Sequence, residues 1–271
     1  MATAQAQGRA PVVEVRGLVA VYGTETVLDD VDFIAEKGLI TVILGGSGCG
    51  KSTLLRHALG LIKPAAGEVR LFGRPLGAMG EAELRATRAR IGVLFQGGAL
   101  FSSMTVGENV AMAIRETSNV PEPVIGQIVR MKLAQVGMEE AITKYPEELS
   151  GGMRKRAALA RAIAVDPEIL FCDEPSAGLD PIVAAGLDEL LLHLKALYGI
   201  TMVVVTHDLD SVRKIADKVV MLDAGRVLAR GTLAEVEASD HPIVRDYFAR
   251  VPSAGRAGSR SLWSIMEGTD R

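Results

Sequence analysis

The run Gly45, Gly46, Ser47, Gly48, Cys49, Gly50, Lys51, Ser52, Thr53 constrains this chain more than any other stretch of it. It fits the pattern Gly-x-x-x-x-Gly-Lys-Ser, follows an apolar segment over 40–44, and opens a helix-forming segment over 51–59. A glycine-rich turn between a strand and a helix lets backbone amides converge on phosphate oxygens at the positive end of the helix, while the lysine reaches the outer phosphates. Such a loop needs a sheet to launch it and a helix to receive it. Far along the chain, Leu149, Ser150, Gly151, Gly152 again place small residues with exposed amides at the start of a helix-forming stretch. The first device alone would indicate a nucleotide. Two of them in one chain ask for more.

The apolar pattern is that of an α/β protein. Strand signals lie over 12–16, 19–22 with a turn at Gly23, 40–44, 68–72 ended by Gly73, and 91–95 stopping at Gln96. Between 112 and 138 the apolar residues recur at helical spacing, interrupted by Pro121 and Pro123, which predicts two inserted helices. Strands resume over 169–172, 202–205 and 219–222, with helices over 183–197 and 209–216 between them. Alternating strands and helices imply a parallel sheet with helices on both faces.

Composition narrows the function. A formal net charge of -3 argues against non-specific binding of nucleic acid, so no nucleic-acid partner is expected. The longest apolar runs, 169–172 and 202–205, are strand-sized and far below the roughly 18 residues a membrane span needs, so a membrane role must come through a partner. The small, polar stretch 1–11 lacks the apolar centre of a signal peptide, which predicts a cytoplasmic protein. Cys49 and Cys172 both lie inside nucleotide-site motifs and suggest no disulfide framework. Cys49, among helix N-terminal amides and beside Lys51, is expected to have a lowered thiol pKa and to be reactive.

The chemistry around the first motif follows from residue type and place. Lys51 is set to neutralise the β and γ phosphates of ATP, and the Ser52 hydroxyl to ligate Mg2+. The apolar run 169–172 ends in Asp173, a carboxylate at a strand end suited to hold the metal's water shell, and Glu174 follows directly. Two adjacent buried acids are costly unless a cation sits with them, and Mg2+ supplies one. Gln96, at the end of its strand, can ligate Mg2+ or water through its amide oxygen.

The paired motifs Gly45–Thr53 and Leu149–Gly152 resemble those of the ATP-binding subunit of an ABC transporter, over about residues 12–240. The resemblance implies a P-loop NTPase of ABC ATPase type: a RecA-like parallel-sheet core, an antiparallel β subdomain and an inserted helical subdomain over about 97–165. It makes Glu174 the group that polarises the attacking water, His207 the γ-phosphate sensor and Tyr22 the adenine-stacking aromatic. Ser176 to Asp180 match the loop that crosses between subunits. Ser150, Gly151 and Gly152 would contact ATP bound by the opposite subunit, so a second copy of the chain is implied, sandwiching ATP and Mg2+. Met153 departs from the glutamine many members carry there, which leaves the amides intact.

Gln96 to Ser102, Leu149 to Met153 and the basic run Arg154, Lys155, Arg156, continuing to Arg161, resemble the ATPase subunits of Mla- and Mce-type lipid transporters. That resemblance implies lipid transport from the cytoplasmic face of a bacterial inner membrane. Its implied partners are an integral-membrane permease subunit, a small accessory protein and a lipid-binding MCE subunit. Leu100, Phe101 and Met104 are then expected to form an apolar dock for a permease helix. The alternatives are an ABC ATPase for another transported substrate, a non-transport ABC ATPase of DNA repair or ribosomes, and a P-loop kinase, which would not need Leu149–Gly152. The expected organisation is a flexible N-terminus over 1–10, an ATPase domain over 11–240 and a C-terminal extension over 241–271. Within the extension a flexible Gly/Ser/Arg tether leads to Leu262, Trp263, Ile265 and Met266, a docking tail with Trp263 as its anchor.

Overall fold

The computed structural model describes residues 9–251, and the tether and Trp263 lie outside them. The chain opens with a long antiparallel hairpin, β1 (Pro11–Tyr22) and β2 (Glu25–Glu36), joined by the turn at Gly23. β3 (Ile40–Leu44) runs into α1 (Lys51–Ala58), after which β4 (Ala66–Leu71) and the short β5 (Arg74–Pro75) return to the hairpin. These build a four-stranded antiparallel sheet in the order β2-β1-β4-β5. Helix α2 (Glu81–Arg88) leads to β6 (Ile91–Leu94). Three helices then follow before the sheet resumes: α3 (Val106–Thr117), α4 (Glu122–Gln135) and α5 (Gly151–Ala162). β7 (Ile169–Asp173), α6 (Pro181–Tyr198), β8 (Thr201–Thr206), α7 (Leu209–Ile215) and β9 (Lys218–Asp223) alternate strictly. β10 (Arg226–Gly231), α8 (Leu233–Glu237) and α9 (Pro242–Phe248) end the described chain. The second sheet has six strands in the order β10-β9-β3-β8-β7-β6, parallel throughout except for the edge strand β10.

The parallel strands are buried on both faces, and for that reason read as unbroken apolar runs. Their two-residue alternation feeds two separate cores. Ile40, Val42, Leu44, Leu170, Cys172, Met202 and Val204 face the inserted helices with α6 and α7. Ile43, Ile169, Phe171, Val203 and Val205 face α1 and the antiparallel sheet. Each buried aliphatic side chain contributes about 1.5–3 kcal/mol, so a one-residue register slip in β3 or β8 would exchange both cores at once.

Several elements depart from the sequence expectation, each for a local reason. The two short strands expected over 12–16 and 19–22 are one strand, interrupted in register where Gly17 takes a φ of 56°. β2 adds a strand to those expected: Val31, Phe33 and Ala35 alternate inward, but Asp30 at φ 54° shifts the phase from Leu28, and interleaved acids mask the pattern. α3 begins well before 112, because Thr105 and Glu108 form a reciprocal capping box, Thr105 Oγ1 accepting from Glu108 N at 3.2 Å and Glu108 Oε2 from Thr105 N at 2.7 Å. The break expected at Pro121 and Pro123 is present, with Pro121 as the N-cap of α4. Beyond 240 the chain continues into α9, whose Val244 is fully buried and whose Ile243, Tyr247 and Phe248 pack on the core.

Candidate functional site

The glycine-rich loop sits at the carboxyl edge of the parallel sheet, where β3 delivers it. A Cβ on Gly45 would lie 2.2 Å from the carbonyl oxygen of Leu222, so only glycine fits between β3 and the end of β9. Gly50, at φ 104°, is the N-cap of α1 and has no side chain to cap the helix, and no acid stands in the first turn. The positive end of α1 therefore meets the cleft without a carboxylate of its own first turn, a ready site for an anion. Lys51, buried, folds its ammonium onto the carbonyls of Gly45 and Gly46, donating to each at 2.8 Å.

β7 and β8 bring the acids and the histidine to the same edge. Ser52 Oγ donates to Asp173 Oδ1 at 3.2 Å. Burial pushes the Asp173 carboxyl pKa up, the Ser52 hydroxyl opposes this, and the charge of Glu174 adds to it. Glu174 is buried at a φ of 46°, a left-handed conformation for a residue with a side chain. His207 Nδ1 lies 2.8 and 2.9 Å from the two Glu174 oxygens, so against an ionised carboxylate the proton is on Nδ1. Lys51 Nζ stands 4.0 Å from Glu174 Oε1. A cleft of about 340 Å³ is lined by Ser47, Gly48, Gly50, Lys51, Ser52, Thr53, Gln96, Glu174 and His207, together with Val27. Residues distant in sequence thus converge within one cavity.

Other expected residues stand elsewhere. Tyr22 is exposed at the end of β1, off the lining of the cleft but on the hairpin whose β2 contributes Val27. Ser150, Gly151 and Gly152 are outside it too. Ser150 caps α5, its hydroxyl accepting from Met153 N at 3.3 Å, and a Cβ on Gly152 would come within 2.5 Å of Val183. A Cβ on Gly151 would lie 3.5 Å from the Leu179 side chain, so the segment from Ser176 to Asp180 borders the Ser150 turn, with Asp180 capping α6 by accepting from Ile182 N and Val183 N at 3.1 and 3.0 Å. Ser176 is buried and lines a second, larger cleft of about 1030 Å³ that adjoins Glu174 and His207.

The reactivity expected of Cys49 is overturned. Its thiol is 7% exposed, and burial raises its pKa despite the opposing charge of Lys51. Cys172 is fully buried, its thiol pushed up to about 12.

Side chains that the sequence pattern left without a role hold the edges of the site. The basic run in α5 is not a solvated face: Lys155 is buried, and Arg161 donates to the carbonyls of Gly98 and Ala99 at 3.0 and 2.6 Å. Asn109, fully buried in α3, accepts from Phe101 N at 2.8 Å and donates among the carbonyls of Phe101, Met104 and Thr105 at 2.9–3.1 Å. Phe101 itself is exposed, while Leu100 and Met104 are half-buried. On the far side, Tyr247 of α9 donates to the His207 carbonyl at 3.2 Å and Arg250 to Asp210 at 2.7 Å. Burial pushes the Tyr247 phenol up to about 12. No sequence signal marks Asn109 or Tyr247, since neither belongs to a motif.

The chain resembles known proteins in sequence and in fold. Residues 28–177 match the family model described as ABC transporter. The chain is 41% identical over 241 residues to the intermembrane phospholipid transport system ATP-binding protein MlaF of Escherichia coli (strain K12), covering 89% of this chain and 90% of that protein. It is 39% identical over 250 residues to the probable ribonucleotide transport ATP-binding protein mkl of Mycobacterium leprae, covering 91% and 72%. Among solved structures it superposes on cbiO1 of Clostridium perfringens, part of the ABC transporter complex cbiONQ, with a TM-score of 0.77 at 32% identity, covering 89% and 96%. It also superposes on the dimeric cassette MJ0796 in a post-hydrolysis state bound to ADP and Pi, with a TM-score of 0.75 at 29% identity, covering 82% and 98%.

Proposed function

This chain belongs to the ABC transporter ATP-binding family, and from that premise we propose how its residues divide the work of hydrolysing ATP. It is an ATPase, the ATP-hydrolysing subunit of a phospholipid-transport ABC system, and it works as a pair of copies with a membrane partner. The observation that carries the division of roles is the gathering of Lys51, Ser52, Gln96, Glu174 and His207 about one cleft, while Ser150–Gly152 stay off it.

The amides from Gly46 through Thr53 cradle the phosphates of ATP, and Lys51 swings from the Gly45 and Gly46 carbonyls onto the β and γ oxygens. Ser52, Asp173 and Gln96 offer a hydroxyl, a carboxylate and an amide oxygen, an all-oxygen donor set suited to the hard cation Mg2+. Bound there with ATP, Mg2+ supplies neutralisation of the phosphate charge. Glu174 takes the proton of the attacking water, and the His207 imidazole, bonded to both of its oxygens, fixes the direction of that carboxylate. Tyr22 stacks on the adenine from the hairpin. Ser150, Gly151 and Gly152 present the amide-rich start of α5 to the γ-phosphate held by the second copy, and Ser176 to Asp180 cross that interface.

The subunit acts at the cytoplasmic face of a bacterial inner membrane. No helix among the described residues is long and apolar enough to cross it, so attachment is through the permease, for which Leu100, Phe101 and Met104 provide the dock. The small accessory protein and the lipid-binding MCE subunit complete the complex, with Trp263 as the contact of the C-terminal tail.

The deciding experiment is Glu174→Gln. The variant is expected to bind ATP, to accumulate a nucleotide-closed dimer, and to turn over about 10²–10⁴-fold more slowly. Near-normal steady-state ATPase would remove Glu174 from the role of base. Lys51→Ala should lose ATP binding itself, measured by nucleotide titration.

A further inference from the structure

Lys155 has surroundings unlike those of a surface charge. It lies one helical turn beyond Gly151 in α5, between two exposed or half-exposed arginines, yet is 7% exposed. Its ammonium donates to two backbone carbonyls, Gln96 O at 2.5 Å and Glu174 O at 3.0 Å. Burial lowers its pKa, and the nearby carboxylates of Asp173 and Glu174 oppose that shift. Those two carbonyls belong to the residues that leave β6 and β7 for the cleft.

The backbone at Glu174 needs such a restraint. A φ of 46° persists for a residue with a Cβ only where its surroundings over-determine it. The Glu174 amide donates to Val205 O at 2.8 Å, and its carbonyl accepts from Ala177 N at 3.2 Å as well as from Lys155. Two of these three ties are local to the strand ends and the turn. The third comes from α5, the helix whose first turn is Ser150 to Gly152.

We propose that Lys155 is a positioning residue for hydrolysis: by fastening the Gln96 and Glu174 carbonyls to α5, it aims the Glu174 carboxylate and makes that aim depend on where α5 stands. Engagement of the second copy's ATP by Ser150–Gly152 is then felt at the base of this chain's own site. The proposal rests on the reading of Glu174 as the base, and the test separates the two.

Steady-state ATPase, ATP KM and thermal midpoint are measured on the full chain in its assembled complex. Lys155→Met keeps the buried stem and removes the ammonium. It is expected to lower kcat about 10- to 100-fold, with KM within about twofold, and to lower the thermal midpoint by no more than roughly 2–8 degrees, because two carbonyls lose a donor while the buried stem is kept. Lys155→Arg should restore most of kcat. On a Glu174→Gln background Lys155→Met should cost nothing further, since both changes act through one carboxylate. Unchanged kcat in Lys155→Met, or an equal fold-loss on both backgrounds, would overturn the proposal. If Lys155→Met does not fold, Lys155→Gln, too short to span both carbonyls, takes its place with the same expectations. Unfolding of both variants would also overturn it, by making the lysine a folding element. Normal turnover of Glu174→Gln alone would instead overturn the reading of the base.

Discussion

Two loops flank the cleft, and they are held differently. The glycine-rich loop from Gly45 to Gly50 is fixed by backbone packing and by the lysine of its own motif: Gly45 lies against the Leu222 carbonyl, the Gly225 amide donates to Cys49 O at 3.2 Å, Leu54 N donates to Gly50 O at 2.8 Å, and Lys51 donates to the Gly45 and Gly46 carbonyls. The segment from Gln96 to Thr105 is fixed by side chains reaching in from two helices, Lys155 and Arg161 from α5 and Asn109 from α3. A backbone-held loop presents fixed amides whatever its neighbours do. A side-chain-held loop follows the helices that hold it. The first suits a phosphate cradle and the second a part that transmits motion between a membrane partner and the site.

The sharpest way to break this contrast is Gly45→Ala. The added Cβ would meet backbone oxygen at 2.2 Å and the Cys49 sulfur at 2.7 Å, with no flexible side chain to give way on the Leu222 side. It should destabilise the domain by about 3 kcal/mol or more and abolish ATP binding. Chemical denaturation together with nucleotide titration checks both, and a stable variant that binds ATP would show the cradle to be softer than its packing implies.

Asn109→Ala probes the other loop and should have a smaller effect of a different kind. It removes all four hydrogen bonds of a fully buried amide to Phe101, Met104 and Thr105, costing about 1–3 kcal/mol. The isolated subunit should keep its basal ATPase while the assembled transporter loses coupling between ATP use and lipid movement. Phe101→Ala should uncouple likewise but shift stability by no more than about 0.5 kcal/mol, because the ring is 46% exposed. If Phe101→Ala unfolds the subunit, the ring is core and not a dock.

The mildest expectation concerns Cys49. With its sulfur enclosed by the cradle and its thiol pKa raised, maleimide should modify it slowly and leave ATPase close to that of the untreated protein over the time an exposed thiol needs to react. Rapid inactivation prevented by ATP would mean that the glycine loop opens, and the contrast between the two loops would narrow.

Legibility in the sequence follows the same division. The phosphate cradle, the parallel strands and the Asp173–Glu174 pair can be read because each imposes a strict rule on neighbouring residues: glycine where a Cβ has no room, unbroken apolar runs where both strand faces are buried. β2 could not be read, because the shift at Asp30 breaks its alternation, and α9 is too short for a helical period to register. Cys49 departs from its sequence expectation because the charge of Lys51 is visible in sequence whereas the burial that outweighs it is not. Lys155 stands between Arg154 and Arg156 and reads like them, although its ammonium is inside.

By itself the sequence determined the chemistry this protein carries, since a phosphate loop, a lysine and a carboxylate at a strand end are specified by residue type at fixed local spacing. Only the tertiary structure decided which groups share the cleft and which are turned away from it. It sets Glu174 against His207, leaves Ser150–Gly152 outside the cleft, and buries Lys155 beneath the turns at Gln96 and Glu174. The reason is physical: spacing along the chain fixes what one turn or strand can present, but desolvation and contacts between distant residues exist only once the sheet has brought its edges together.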